Sequence, residues 1–418
     1  MTVRDTAPRS ADVVIIGSGL VGACCADELS AVGLSVVVVD RGNLTAGTTA
    51  SGEGNILVSD KPPGPELDLA RLSRRRWVEL ADDLDTDIEF DEKGGVVVAP
   101  DEASAVGLAE LAARQRSVGI QAVEATGADL QELEPHITPD LTLGMHYPED
   151  CQVQPILASA ALLGRARSRG AAVLGQTVVT GIELDALQRV RAVTTTRGTI
   201  ATPWVVNAAG PWSGEVAALA GLHLPIEPRR GHILVTEPRG RLIHHKVYDA
   251  SYVGTLTADP GAAQVSAVIE GTASGTILLG SSREFVGWDR QVDGDLVRRI
   301  GARAVELFPV LADVKVMRTY VGFRPWLPDH LPAIGEEPGV PGFIQATGHE
   351  GAGICLAPAT GLVVRDLVTE RTPEVDLTAF RPDRPALRPT GPDPTPDPTD
   401  PGPTGPDPAH PHPELSHG

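Results

Sequence analysis

The chain has 418 residues, enough for one large or two moderate cores, and its 42% hydrophobic content is that of a globular protein. A net charge of −20 argues against nucleic acid or an anionic membrane as partner. No apolar stretch approaches about 18 residues, so no membrane span is expected, and four cysteines (Cys24, Cys25, Cys151, Cys355) without CxxC or Cys/His metal spacing read as buried, reduced thiols of a cytoplasmic protein.

The first informative segment is ADVVIIGSGLVGACCADELSAVGLSVVVVD, residues 11–40. Val13 to Ile16 predicts a buried strand, 20–32 a helix rich in small residues, and 35–39 a second strand ending at Asp40. Gly17, Gly19 and Gly22 stand between at G-x-G-x-x-G spacing. Gly17 permits the tight turn, Gly19 lets backbone approach a pyrophosphate, and Gly22 lets helix and strand pack closely. Phosphates would sit at the helix N-terminus. Asp40 lies about 20 residues on, where an acid reaches a ribose. An ordinary Gly-rich loop is the plain alternative. A second alternative is export: Arg4 and Arg9, an apolar run and Val21-Gly22-Ala23-Cys24 mimic a lipoprotein-type signal. Asp12 and the embedded Gly17-Ser18-Gly19 suit a nucleotide loop better.

Further along, 66–84, 103–118, 156–169, 293–308 and 353–369 read as helices. Strands are expected at 94–99, 171–179, as a pair around 189–200, and at 204–207. Residues 226–285 read as strand after strand (232–236, 246–253, 265–270, 276–280), followed by strands at 314–323 and 342–347. This order suggests an α/β nucleotide domain with an antiparallel sheet domain inserted. From Arg381 the composition turns to Pro, Asp, Thr and Gly, so 381–418 is expected to be disordered. His410, His412 and His417 in that tail suit a solvated segment better than a metal site, and no metal centre is expected.

Three more segments belong with the nucleotide loop. GTTASGEGN, 47–55, is a small, polar loop placed to touch the middle of a cofactor. Asn207-Ala208-Ala209-Gly210-Pro211-Trp212 ends a strand in small residues. Gly348-His349-Glu350-Gly351-Ala352-Gly353 enters the last helix with N–H groups able to hold an anionic centre.

In this order the segments resemble the D-amino-acid oxidase, glycine oxidase and sarcosine oxidase group of FAD enzymes. Within it they look most like flavoprotein subunits of multi-component amine dehydrogenases, including the hydroxyproline dehydrogenase beta subunit, opine dehydrogenase subunits and flavin subunits of hydrogen cyanide synthase. The resemblance covers roughly 11–370. Its more specific part pairs Tyr320-Val321-Gly322-Phe323-Arg324-Pro325 with the closing GHEGAG. It implies a Rossmann-like FAD-binding domain (1–83, 143–223, 321–380) with an inserted antiparallel substrate domain (84–142, 224–320). Gly17, Gly19 and Gly22 would lie under the pyrophosphate, with Asp40 and Arg41 at the AMP ribose. Thr49, Ala50 and Ser51 would line the route to the flavin, Val178 the adenine, and Ala209 and Gly210 the nucleotide. Gly348, Gly351, Ala352 and Gly353 would cap the flavin ring. Arg324 would pair with a substrate carboxylate. Cys355 is not expected to attach the flavin, so FAD would be held non-covalently. No cysteine cluster can hold an iron–sulfur centre, so any such centre would belong to a partner redox subunit.

The implied reaction is oxidation of an amino acid or secondary amine at its C–N bond. Candidate pocket residues are Arg324, Tyr252, His232, Arg283 and His349; a structural salt bridge is the plain alternative for the first, and packing, strand capping, surface pairing and shaping of the flavin turn for the other four. An NAD-dependent dehydrogenase and a non-catalytic flavoprotein subunit are the rival readings.

Overall fold

The computed structural model describes residues 6–251 and 263–388. Its first sheet has six strands in the order Ala333–Glu336, Phe343–Thr347, Trp204–Asn207, Val13–Ile16, Val36–Val39, Ala172–Leu174. Five run parallel, and Ala333–Glu336 is antiparallel to its neighbour. Val13–Ile16 is central and fully buried. Unbroken Val and Ile runs suit such strands because both faces are covered. Val13 and Ile15 face the helices Leu20–Ala31, Pro65–Asp83, Pro155–Ser168 and Gly353–Val368. Val14 and Ile16 face a three-stranded sheet of Val179–Leu184, Val190–Thr195 and Gly198–Ala201.

The small residues of the first helix form a close seam with the last. A Cβ at Gly361 would lie 2.9 Å from the Cys24 backbone. Cys24 and Cys25 are buried there, and all four cysteines are buried thiols.

The second sheet has eight strands in the order Val316–Trp326, Glu227–Thr236, Ile277–Arg283, Gln264–Gly271, Lys246–Asp249, Gly95–Ala99, Leu143–Tyr147, Val123–Ala125. The pair Lys246–Asp249 with Gly95–Ala99 is parallel; the other printed pairings are antiparallel. The helix Gly294–Leu307 buries Leu296, Ile300 and Ala304, and Asp293 caps it by accepting from the Asp295 and Leu296 N–H groups.

The expected boundaries shift in three places. Leu143–Tyr147 joins the second sheet, because its long-range pairing with Gly95–Ala99 outweighs its place in the chain. Val316–Trp326 runs as one strand across residue 321 and pairs along Glu227–Thr236. Residues 381–388 pack on the body instead of starting the tail. The Arg384 guanidinium donates to both Asp329 carboxylate oxygens, and Leu387 is buried. The remainder of the tail, with its three histidines, lies outside the described residues. Among the described residues no helix is long and apolar enough to cross a membrane.

Candidate active site

A cavity of about 950 Å³, within the range of small-molecule sites, is lined from both sheets. The glycine loop builds one wall. Gly17 adopts φ +112°, and a Cβ there would lie 2.3 Å from the Ala208 carbonyl oxygen. A Cβ at Gly22 would lie 2.0 Å from the Gly17 carbonyl oxygen. Both glycines therefore serve backbone packing, and Gly22 does not line the cavity. Gly19 does, and its missing Cβ would meet only Thr49 Oγ1, at 3.0 Å.

Gly19 is the N-cap of Leu20–Ala31 and offers no side-chain cap. The Leu20 N–H donates to Thr49 Oγ1 at 2.9 Å. This helix end, with a cavity-facing glycine at its N-cap and no acidic side chain in its first turn, fits the pyrophosphate of a dinucleotide. Asp40 accepts from the Ser18 N–H and hydroxyl through one oxygen and from the Gly42 N–H through the other, so it fixes the loop as well as lining the cavity. Arg41 lies 4.2 Å from the centre of the Trp212 ring, which stacks on Trp288 at 4.9 Å.

Thr49, Ser51, Val178, Ala209, Gly210, Gly351 and Gly353 also line the cavity. Ala50, Gly348 and Ala352 do not. Ala50 lies in the short turn Thr48–Ser51, its N–H on the Gly47 carbonyl. Gly348 has φ +77° and a Cβ position 2.2 Å from Leu327 Cδ1, while Ala352 closes a turn onto the His349 carbonyl.

His349 lines the cavity and is buried. Thr360 donates its hydroxyl hydrogen to the Leu356 carbonyl, so at 2.9 Å it accepts from His349 Nε2. Burial pushes the imidazole down to about 3, which keeps it neutral.

The second sheet builds the opposite wall. Gly231 and Gly322 pair in register and both line the cavity. Arg324 lines it too, and its Nη1 donates to the Ser282 carbonyl at 2.9 Å. A Cβ at Gly231 would lie 2.3 Å from that Nη1, so the glycine makes room for the guanidinium.

His232 lies between Gly231 and Ile233, which both line the cavity, and strand alternation turns it to the other face. There Nε2 accepts from the Asp293 N–H at 3.1 Å and Nδ1 meets Ser282 Oγ at 2.9 Å, fixing the start of a helix. Arg283 is buried but does not line the cavity. Tyr252 lies outside the described residues.

Several charged residues at this wall were missed by motif reading. Arg229 donates to Glu350 Oε1 at 2.5 Å, and His330 Nδ1 lies 3.1 Å from Oε2. Burial alone would raise the Glu350 carboxyl; the His330 hydrogen bond and the Arg229 and Arg283 charges bring it below its ordinary value. On the other side, Lys246 Nζ lies 3.5 Å from Glu53 and 3.3 Å from Glu270. Burial raises the Glu53 carboxyl against the pull of Lys246. The only sequence signal for Glu53 and Glu350 was their place inside the GTTASGEGN and GHEGAG segments.

The model of the family described as FAD dependent oxidoreductase (DAO) matches residues 12–367. Glycine oxidase of Geobacillus kaustophilus is 30% identical over 376 residues, covering 88% of this chain and 96% of that protein. Hydrogen cyanide synthase subunit HcnC of Pseudomonas aeruginosa is 30% identical over 415 residues, covering 89% and 95%. The crystal structure of the Geobacillus kaustophilus glycine oxidase superposes with a TM-score of 0.82 at 28% identity, covering 90% of this chain and 99% of that one.

Proposed function

The chain belongs to the FAD dependent oxidoreductase family, and from that premise we propose that it oxidises an amino acid or secondary amine at its C–N bond. The nucleotide is therefore FAD and not NAD. When bound, FAD supplies the acceptor for a hydride leaving the carbon that bears nitrogen. The nitrogen gives up a proton, and water hydrolyses the resulting imine.

The observation that carries this reading is one cavity with a glycine-capped helix N-terminus on one wall and Arg324 on the other. Gly19 and the Leu20–Ala31 N-terminus would hold the pyrophosphate, with Asp40 and Arg41 toward the ribose. Arg324 would take a substrate carboxylate in its planar fork, which gives orientation as well as charge. Orientation and a neutral amine are enough for such a step without a dedicated base. Similarity to a protein named as a subunit supports an electron acceptor supplied by a partner chain.

The test is anaerobic mixing with a panel of amino acids, N-alkyl amino acids and their decarboxylated counterparts, followed by flavin absorbance. Carboxylated amines should bleach the flavin. Arg324→Ala should slow them by tens-fold to thousands-fold, from about 2–5 kcal/mol of lost charge pairing, while sparing decarboxylated amines. Arg324→Lys should recover part of the rate. Bound FAD that no amine bleaches would overturn the reading.

A further inference from the structure

Glu53 and Asn55 follow the short turn Thr48–Ser51, and both line the cavity. Asn55 Nδ2 donates to Glu53 Oε2 at 2.9 Å, which fixes the amide and leaves Oδ1 as its acceptor end. Among the described residues, neither Glu53 Oε1 nor Asn55 Oδ1 receives a hydrogen bond, though both atoms are buried. The Glu53 side chain is only 8% exposed. Lys246 stands nearest the other oxygen, Oε2, and shares its ammonium with Glu270. Lys93 nearby is bound to the Gly271 carbonyl and to Gln152. Two residues that line the cavity thus each keep one buried acceptor without a donor, one of them on a carboxyl group. Such atoms are costly until a donor fills them.

Arg324 stands over the same face of the sheet. Glu53 Oε1 lies 2.6 Å from the position of a Cβ at Gly280, and that position is 3.1 Å from Ile233 Cδ1. Arg324 Nη1 lies at the equivalent position over Gly231, two residues from Ile233 on one strand. Carboxyl and guanidinium thus stand over diagonal positions of one sheet face, Gly280 and Gly231.

We propose that Glu53 and Asn55 form a cation subsite, selecting substrates that carry an ammonium or guanidinium group besides the carboxylate taken by Arg324. The proposal rests on the oxidation reading for its view of Arg324. The nitrogen being oxidised must be neutral for a hydride to leave its carbon. The group at Glu53 is therefore a second nitrogen, on the substrate's side chain or N-substituent. Several N–H donors on one cation satisfy both acceptors, and a positive charge beside the Glu53 carboxyl favours its ionised form against the burial that raises it.

The test titrates FAD-loaded protein with guanidinoacetate, guanidinobutyrate and gamma-aminobutyrate. Each is paired with its uncharged counterpart, the ureido acids and gamma-hydroxybutyrate, and flavin absorbance reports binding. At least one cation should bind about tenfold or more tightly than its counterpart. Glu53→Gln should abolish that preference while keeping FAD content and affinity for the uncharged acid. Equal affinities throughout would overturn the subsite, as would a Glu53→Gln protein that weakens both members alike or loses FAD. A cation preference in a protein whose flavin no amine bleaches would keep the subsite and remove the oxidation reading.

Discussion

The two walls of the cavity are built by opposite means. The nucleotide wall is made of backbone: Gly17, Gly19, the N-terminus of Leu20–Ala31 and the strand end at Ala208, with Gly22 packed behind Gly17. Gly17 and Gly22 depend on backbone neighbours that admit no extra atom, while Gly19 faces the cavity. The sheet wall carries charged side chains from segments far apart in the chain, Glu53, Arg324 and Glu350, with Arg229 paired behind Glu350 and Lys246 and Glu270 behind Glu53. There, small glycines make room and charge balance does the rest. The first wall should fail on added volume, and the second on lost charge.

The largest expected effect tests the first wall. Gly22→Ala places a methyl 2.0 Å from the Gly17 carbonyl oxygen, a backbone atom that cannot step aside. A loss of more than about 4 kcal/mol is expected, as for severe overpacking. Gly19→Ala meets only the Thr49 hydroxyl, at 3.0 Å. It should leave the melting temperature of the cofactor-free protein nearly unchanged and lower FAD content. Equal melting of the two variants would erase the distinction between packing glycine and ligand glycine.

The second wall is tested at the Arg229–Glu350 pair, where both side chains are over nine-tenths buried. Arg229→Met leaves a buried carboxylate without its guanidinium and should cost about 3 kcal/mol or more. Adding Glu350→Gln should restore part of that loss. Urea denaturation of both variants checks it; a double mutant no better than the single would mean that lost packing, not charge, sets the cost.

The same contrast decides what could be read from sequence. The apolar run Val13–Ile16, the three glycines and Asp40 lie within one local unit, so their pattern carries the structure. Trp204–Asn207 was legible for the same reason, and 66–84 settled at Pro65–Asp83. Leu143–Tyr147 alternates apolar Leu143, Met145 and Tyr147 as a strand does, but its place in the second sheet was not legible, because it comes from long-range pairing with Gly95–Ala99. His232 has the alternation of a strand residue, but the register decides which face meets the cavity, and that face belongs to Gly231 and Ile233. Arg229 and Glu350 lie 121 positions apart, and no local spacing announces their pairing.

A pH dependence distinguishes the walls further. His349 is neutral when folded, its proton affinity reduced by burial to about 3 from an ordinary value of 6.5. Between those values the unfolded chain binds more protons. Stability contributed here is therefore full above about pH 6.5 and falls as pH falls, by at most about 1.4 kcal/mol per unit. His349→Gln keeps an N–H donor for Thr360 and removes this titration. Between pH 7 and 4.5 the wild type should lose up to about 2–3 kcal/mol more than the variant. Parallel stability curves would show that His349 is protonated in the folded protein.

The smallest effects lie at the C-terminal edge, where a charge clamp and a polar segment adjoin. Arg384 donates to both oxygens of Asp329, at 2.6 and 2.9 Å, and to the Leu331 and Pro332 carbonyls, while Leu387 is buried. Ending the chain after Phe380 removes all of these and should cost about 1–3 kcal/mol, the scale of charge-assisted hydrogen bonds. Ending it after Arg388 removes only residues rich in Pro, Asp, Thr and Gly. That composition offers too little apolar surface to join a core, so the change should stay within about 0.5 kcal/mol. The composition shift begins at Arg381, yet three and six residues further on a guanidinium and a leucine still hold the chain to the body. Thermal melts of the two truncations locate the true edge. Equal melting of both with the wild type would mean that the Arg384 clamp adds nothing. A large loss in the variant ending at Arg388 would place part of the fold's stability beyond it.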